Sequence, residues 1–95
     1  MESRRVVVTG LGALTPLGNN IKDYWESLKQ GVSGAGNITY FDTEKFKTKF
    51  ACELKKFDVN NFLERKESRR LDKFSQYALI AADEAIIDSG LNTKN

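Results

Sequence analysis

The sequence predicts an α/β fold, and three segments carry this prediction. Residues 4–9 contain three consecutive valines without polar alternation, which is typical of a strand covered on both faces. Residues 21–30 and 68–89 repeat apolar side chains at helical spacing. Because so short a chain offers few partners for a doubly covered strand, we expect its sheet neighbours to come from sequence outside these 95 residues.

The first helix is predicted over residues 21–30. Three apolar side chains share one helical face at i, i+4 and i+7: Ile21, Trp25 and Leu28. Asn20, with Asp23 three residues later, resembles a capping box at the start of this helix. Gly31 stands where a glycine commonly ends a helix.

The middle of the chain has weaker patterns. Residues 31–42 hold three glycines and little periodicity, which predicts a loop. Partial alternation predicts a short strand near residues 49–54. Asn61 followed by Glu64 suggests the start of another short helix.

The strongest helical pattern covers residues 68–89. One apolar stripe contains six side chains: Leu71, Phe74, Ala78, Ala81, Ala82 and Ala85. Further apolar residues widen this stripe, so we expect a buried helix that ends at Gly90. Asp83, Glu84 and Asp88 lie near its C-terminal end, where the helix dipole disfavours negative charge, so they indicate no special anion site. The Asp83–Glu84 pair is interpreted as solvated helix surface.

Composition excludes several classes of site. The chain has no histidine, so it contains no imidazole base, and a single cysteine forms neither an intramolecular disulfide nor a thiolate zinc cage. No metal-ligand spacing, targeting segment or membrane-spanning segment is recognisable. The net charge of +2 and the 29% of charged residues indicate a folded protein, and we expect a cytoplasmic location.

The glycine turn after the predicted strand has two interpretations. A dinucleotide-binding loop needs G-x-G-x-x-G or A, whereas Gly10 and Gly12 are followed by Thr15 at the third position and then by Pro16. No acidic residue closes a second strand about 20 residues later, as ribose recognition requires. A tight turn leaving a buried strand is therefore favoured over nucleotide binding.

Cys52 is a candidate nucleophile because it is a cysteine, but no neighbouring residue supports that role. A reactive thiolate needs an adjacent base or a positive environment, and the chain has no histidine to supply the base. The preceding Phe50 and Ala51 suggest a packed strand, so a buried, inert thiol is the favoured interpretation.

The basic residues between positions 65 and 73 form the most informative charge pattern. On one continuous helix, four cations would share a face at i, i+3, i+4 and i+7: Lys66, Arg69, Arg70 and Lys73. Such a surface attracts an anionic partner. The alternative is a solvated face balanced by Glu64, Glu67 and Asp72. Nucleic acid is a weaker candidate, because no aromatic residues interleave with the basic ones.

Four stretches of the sequence together resemble a known family. They are RRVVVTGLGALTPLGNN (4–20), FDTEKFKTKFA (41–51), RKESRRLDKFSQYAL (65–79) and DSGL (88–91). In this order and spacing they are similar to the start of the bacterial β-ketoacyl-acyl-carrier-protein synthase II family, the elongating condensing enzymes of fatty-acid synthesis. Polyketide ketosynthases share the opening stretch but match the middle ones less well.

The resemblance implies a thiolase-like fold with αβαβα layers, two similar halves and a homodimer when full length. Residues 1–95 would form an incomplete domain, the first part of the N-terminal half. The implied reaction is a decarboxylative Claisen condensation between an acyl-enzyme and malonyl-carrier-protein. The family's catalytic cysteine, histidines and lysine would all lie beyond residue 95, and Cys52 does not match the nucleophile's motif. We therefore expect no catalytic residue, metal or cofactor site in this chain.

The resemblance also implies a partner. Lys66, Arg69 and Arg70 match basic residues that receive the acidic acyl carrier protein, whose phosphopantetheine arm carries the substrates; Arg70 replaces what is commonly lysine and keeps the charge. Two other functions stay open: a standalone, non-catalytic module that binds an acidic protein, and, less favoured, a fragment of a nicotinamide-dependent reductase.

Overall fold

The computed structural model describes residues 3–91. Within them the elements follow one another in this order: helix α1 (Ile21–Lys29), strand β1 (Gly36–Asn37), strand β2 (Phe50–Ala51), a 3₁₀ turn (Val59–Asn61), helix α2 (Arg65–Arg70) and helix α3 (Lys73–Ser89). The structure is therefore mainly helical, with one small antiparallel pair.

The strand predicted over residues 4–9 is not formed within residues 3–91, so this prediction is wrong for the part of the chain that the structure describes. Val6, Val7 and Val8 are 92%, 68% and 78% exposed. A strand needs a neighbouring backbone, but β1 and β2 pair with each other, Gly36 opposite Ala51 and Asn37 opposite Phe50. Within residues 3–91 the valines therefore have no strand to pair with.

Helix α1 confirms the prediction made from its local pattern. The Asn20 Oδ1 accepts a hydrogen bond from the Asp23 backbone N–H at 2.9 Å, and its Nδ2 donates to the Asp23 carboxylate at 3.1 Å. The helix ends at Lys29, and Gly31 follows with a φ of +69°, the left-handed conformation that glycine adopts most readily. Both ends of this helix are thus determined by residues next to it in sequence.

The segment predicted as a loop over residues 31–42 contains β1, and the strand predicted near 49–54 is the shorter β2. The pair is extended by two further links. The Ile38 N–H donates to the Lys49 carbonyl at 3.0 Å, and the Thr39 hydroxyl donates to the Glu53 carboxylate at 2.9 Å. The short pair therefore joins the two ends of the long segment between β1 and β2, and within residues 3–91 it has no further strands.

The long helix predicted over residues 68–89 is two helices, because the backbone leaves helical geometry between them. Leu71 has φ −110° and ψ 140°, which ends α2, and Asp72 is also extended before α3 begins. The Gln76 amide bridges the break by donating to the Ser68 carbonyl at 2.6 Å and to the Leu71 carbonyl at 3.3 Å. These carbonyls thereby obtain a donor that a continuous helix would have supplied from its own backbone.

The start of α2 also differs from the prediction. Asn61 lies at the end of the 3₁₀ turn, in which the Asn60 N–H donates to the Asp58 side chain at 3.0 Å. The residue that precedes α2 is Glu64, and its side chain makes no capping hydrogen bond. The Asn61–Glu64 pattern was thus misleading about which residue begins the helix.

Helix α3 ends as predicted but is not buried within residues 3–91. Gly90 has a φ of +73°, and its N–H donates to the Ile87 carbonyl at 3.1 Å. Ile80 is 6% exposed, whereas Phe74 and Ile87 are each 72% exposed. Part of the apolar circumference of α3 therefore faces solvent in the described chain.

Candidate functional site

Helix α2 presents Lys66, Arg69 and Arg70 on one exposed face. At 3.6 residues per turn the three side chains span an arc of about 100°. Ser68, only 7% exposed, lies on the opposite side of the same helix and marks its inner face. The structure therefore places on one face the three basic residues that were predicted to dock a partner.

Lys73 does not belong to this face, so the predicted four-member arrangement is wrong. It is the first residue of α3, beyond the break at Leu71. Its ammonium lies 4.1 Å from the centre of the Tyr40 ring, a cation–π contact with the segment between β1 and β2. We call the remaining three residues, Lys66, Arg69 and Arg70, the basic face of α2.

The acidic residues expected to balance this face do not form ion pairs with it within residues 3–91. The ion pair found there joins Lys29 and Glu26 on α1. Arg69 and Arg70 also stand in the last turn of α2, where the helix dipole favours positive charge. Within residues 3–91 no ion pair neutralises the basic face.

Aromatic side chains hold the segment before α2 against α3. Phe57 stacks on Phe62 with ring centres 5.6 Å apart and meets Tyr77 of α3 edge-on at the same distance. Burial, followed by the charge and the hydrogen bond of Tyr40, raises the pKa of the Tyr77 phenol above its ordinary value of 10.0. Together with the Gln76 bridge, these contacts anchor α2 on both sides.

Two N–H groups of the glycine turn are already bonded to carboxylates. The Leu11 N–H donates to the Asp88 carboxylate at 3.0 Å, and the Ala13 N–H donates to the Glu84 carboxylate at 2.8 Å. The Asp88 and Glu84 carboxylates occupy the N–H groups that a pyrophosphate would need, and their negative charge repels it. The structure therefore disfavours nucleotide binding at this turn.

The sequence interpretation missed the roles of Glu84 and Asp88: it placed Glu84 on solvated surface and assigned Asp88 no site. Glu84 is partly buried and also accepts from the Ile21 N–H, at 3.2 Å to one carboxylate oxygen and 3.0 Å to the other. Their i, i+4 spacing on α3 was the only available signal, and it becomes informative only when the partner segment is known.

Cys52 is exposed, directly after β2, so the interpretation of a packed thiol is wrong.

Among residues 3–91, no three side chains of the types His, Cys, Asp and Glu gather as metal ligands would. Within the same range, none of the helices has the length and apolarity needed to cross a bilayer.

Comparison with known proteins agrees with the resemblance over the whole chain. The family model described as "Beta-ketoacyl synthase, N-terminal domain" matches residues 3–95. A 3-oxoacyl-[acyl-carrier-protein] synthase 2 of Staphylococcus aureus (strain COL) is 46% identical over 91 residues, and one of Synechocystis sp. is 48% identical over 91 residues. Each alignment covers 96% of this chain and 22% of the relative, so the chain spans about a fifth of their length.

A solved structure shares the same backbone arrangement. The ishigamide ketosynthase/chain length factor superposes with a TM-score of 0.84 at 38% sequence identity, covering 94% of this chain and 22% of that chain. This likeness supports the thiolase-like class of fold. The chain belongs to the beta-ketoacyl synthase family, with the match falling in that family's N-terminal domain.

Proposed function

We propose that this chain is the first part of the N-terminal half of a 3-oxoacyl-acyl-carrier-protein synthase II, which elongates fatty acyl chains in the cytoplasm. The observation that carries the proposal is the similarity of nearly the whole chain to two synthases of that name. The exposed, unpaired valines at 6–8 support the view that later sequence supplies their sheet, in a homodimer of αβαβα-layered subunits.

The proposed reaction is a decarboxylative Claisen condensation. An acyl group is held as a thioester on an active-site cysteine supplied by later sequence. Malonyl-carrier-protein loses carbon dioxide, and the carbanion equivalent left behind attacks the thioester carbonyl and displaces the thiolate. The substrates arrive on the phosphopantetheine arm of acyl carrier protein, and the proposal assigns no catalytic role, metal or further cofactor to residues 1–95.

In this proposal the basic face of α2 forms part of the docking surface for acyl carrier protein. The three side chains are exposed, lie on one side of a short helix, and make no ion pair within residues 3–91. The Gln76 bridge and the Phe57–Tyr77 contact fix the helix that presents them. A fixed cationic surface accelerates encounter with an acidic protein more than it strengthens the final complex.

The docking role is tested by reversing the charge of Lys66, Arg69 and Arg70 to glutamate in the natural gene product. We expect the KM for carrier-protein substrates to rise by about tenfold or more, because several favourable charge interactions become repulsive. The salt dependence of carrier-protein affinity should weaken at the same time. Steady-state kinetics at several salt concentrations measures both effects.

The matched control reverses two exposed lysines elsewhere, Lys45 and Lys47, and should leave the KM unchanged. Hydrogen–deuterium exchange of the α2 amides verifies that this helix is retained in the reversed variant. An unchanged, equally salt-sensitive affinity for acyl carrier protein in that variant would rule out the docking role.

The exposed basic face also favours a second function, a non-catalytic module that binds an acidic protein. The intact mass of the natural gene product separates the two: the module predicts a native chain ending near Asn95, and the synthase predicts a much longer one. A reductase fragment predicts a fluorescence change on adding NADPH. The carboxylates on the Leu11 and Ala13 N–H groups argue against that outcome.

A further inference from the structure

The segment from Gly10 to Ala13 lies directly on the backbone of α3. A Cβ on Gly12 would overlap the Ala81 carbonyl oxygen and lie 2.8 Å from the Ala85 nitrogen. A Cβ on Gly10 would overlap the Ala85 carbonyl oxygen, one turn further along the helix. The two glycines therefore allow an approach that any side chain would prevent.

The residues between and after these glycines are held by α3 side chains. The Leu11 N–H donates to Asp88 at 3.0 Å, and the Ala13 N–H donates to Glu84 at 2.8 Å. Two residues of extended chain advance about 6.6 Å, and four residues of helix rise about 6.0 Å. Alternate N–H groups of the segment therefore match carboxylates spaced i, i+4 on the helix.

Glu84 also reaches a third element. Its two oxygens accept from the N–H of Ile21, the first residue of α1, at 3.2 and 3.0 Å. This N–H is one of those that a helix leaves without an internal partner, and the helix dipole favours a negative charge there. One carboxylate thus links α3, the glycine segment and the start of α1.

We propose that Glu84 and Asp88 form a carboxylate clamp that docks residues 10–21 on α3, with Gly10 and Gly12 providing the close fit. The clamp sets the direction in which residues 3–9 leave α3 and fixes the first turn of α1 against it. It is a conformational device separate from the basic face of α2, so its failure would leave the proposed docking role intact.

Hydrogen–deuterium exchange of the natural gene product tests the clamp. In Glu84→Ala, amides in residues 10–21 should exchange about tenfold faster or more, because charge-assisted hydrogen bonds are lost. Exchange in α3 should stay unchanged, since alanine is a better helix former than glutamate. Glu84→Gln should give an intermediate rate, because its amide oxygen replaces only one of the two carboxylate oxygens.

Asp83→Ala is the matched control: it removes an exposed carboxylate one residue away and should leave exchange at wild-type rates. If Glu84→Ala unfolds the protein, the Asp88→Ala variant tests the clamp instead. Faster amide exchange confined to residues 10–13 in that variant would support the clamp. Wild-type exchange over residues 10–21 in Glu84→Ala, or equal acceleration in Asp83→Ala, would overturn it. So would an Asp88→Ala variant without local acceleration.

Discussion

The fit between the N-terminal segment and α3 depends on the absence of a side chain at Gly12. A Gly-x-Gly turn after an apolar run is also found in nucleotide-binding loops, and the sequence distinguishes the two uses by the missing third glycine and by the lack of an acidic residue about 20 positions later. The decisive partners, Glu84 and Asp88, lie more than seventy positions further on. Their role depends on tertiary contact, which is why local pattern did not reveal it.

Replacing Gly12 by alanine should therefore destabilise the protein. The new Cβ would meet backbone atoms of α3, which cannot rotate away as a flexible side chain can, and we expect a loss of about 1–3 kcal/mol in unfolding free energy. Gly36→Ala is the control, because Gly36 has no atom within 4 Å of a new Cβ and no positive φ. Urea unfolding of both variants measures the difference, and equal stabilities would contradict the close fit.

Among the elements, helix α1, whose two ends depend on neighbouring residues, was predicted well, whereas the strand over residues 4–9, which needs a distant partner, was not. Asn20 and Gly31 determine α1 locally, and the structure has both in the expected roles. The predicted strand at 4–9 needs a neighbouring strand, which residues 3–91 do not provide. The break between α2 and α3 has no proline or glycine to announce it, since its sequence is Arg70-Leu71-Asp72-Lys73.

The Gln76 bridge gives the helix break a testable role in presenting the basic face. Gln76→Met keeps the side-chain length but removes the donor shared by the Ser68 and Leu71 carbonyls. We expect α2 amides to exchange faster and the unfolding free energy to fall by about 1–2 kcal/mol, because a partly buried carbonyl loses its donor. Gln30→Met, at an exposed position, should change neither quantity. If α2 exchanges at the wild-type rate in Gln76→Met, the bridge does not hold it.

At the scale of the whole molecule, the chain is more extended than an independent domain of its length. Its radius of gyration is 17.0 Å, compared with about 12 Å expected for a compact domain of 95 residues. Large apolar side chains are open to solvent at both ends of the described range, at Val6 to Val8 and at Ile87. These exposed faces support the proposal that the chain works as one part of a larger synthase.

The most direct test of that proposal is carbon dioxide release by the purified natural gene product supplied with acyl-carrier-protein and malonyl-carrier-protein. We expect carbon dioxide and 3-oxoacyl-carrier-protein to form in a one-to-one ratio. A gene product that binds acyl carrier protein but releases no carbon dioxide and forms no 3-oxoacyl product would contradict it.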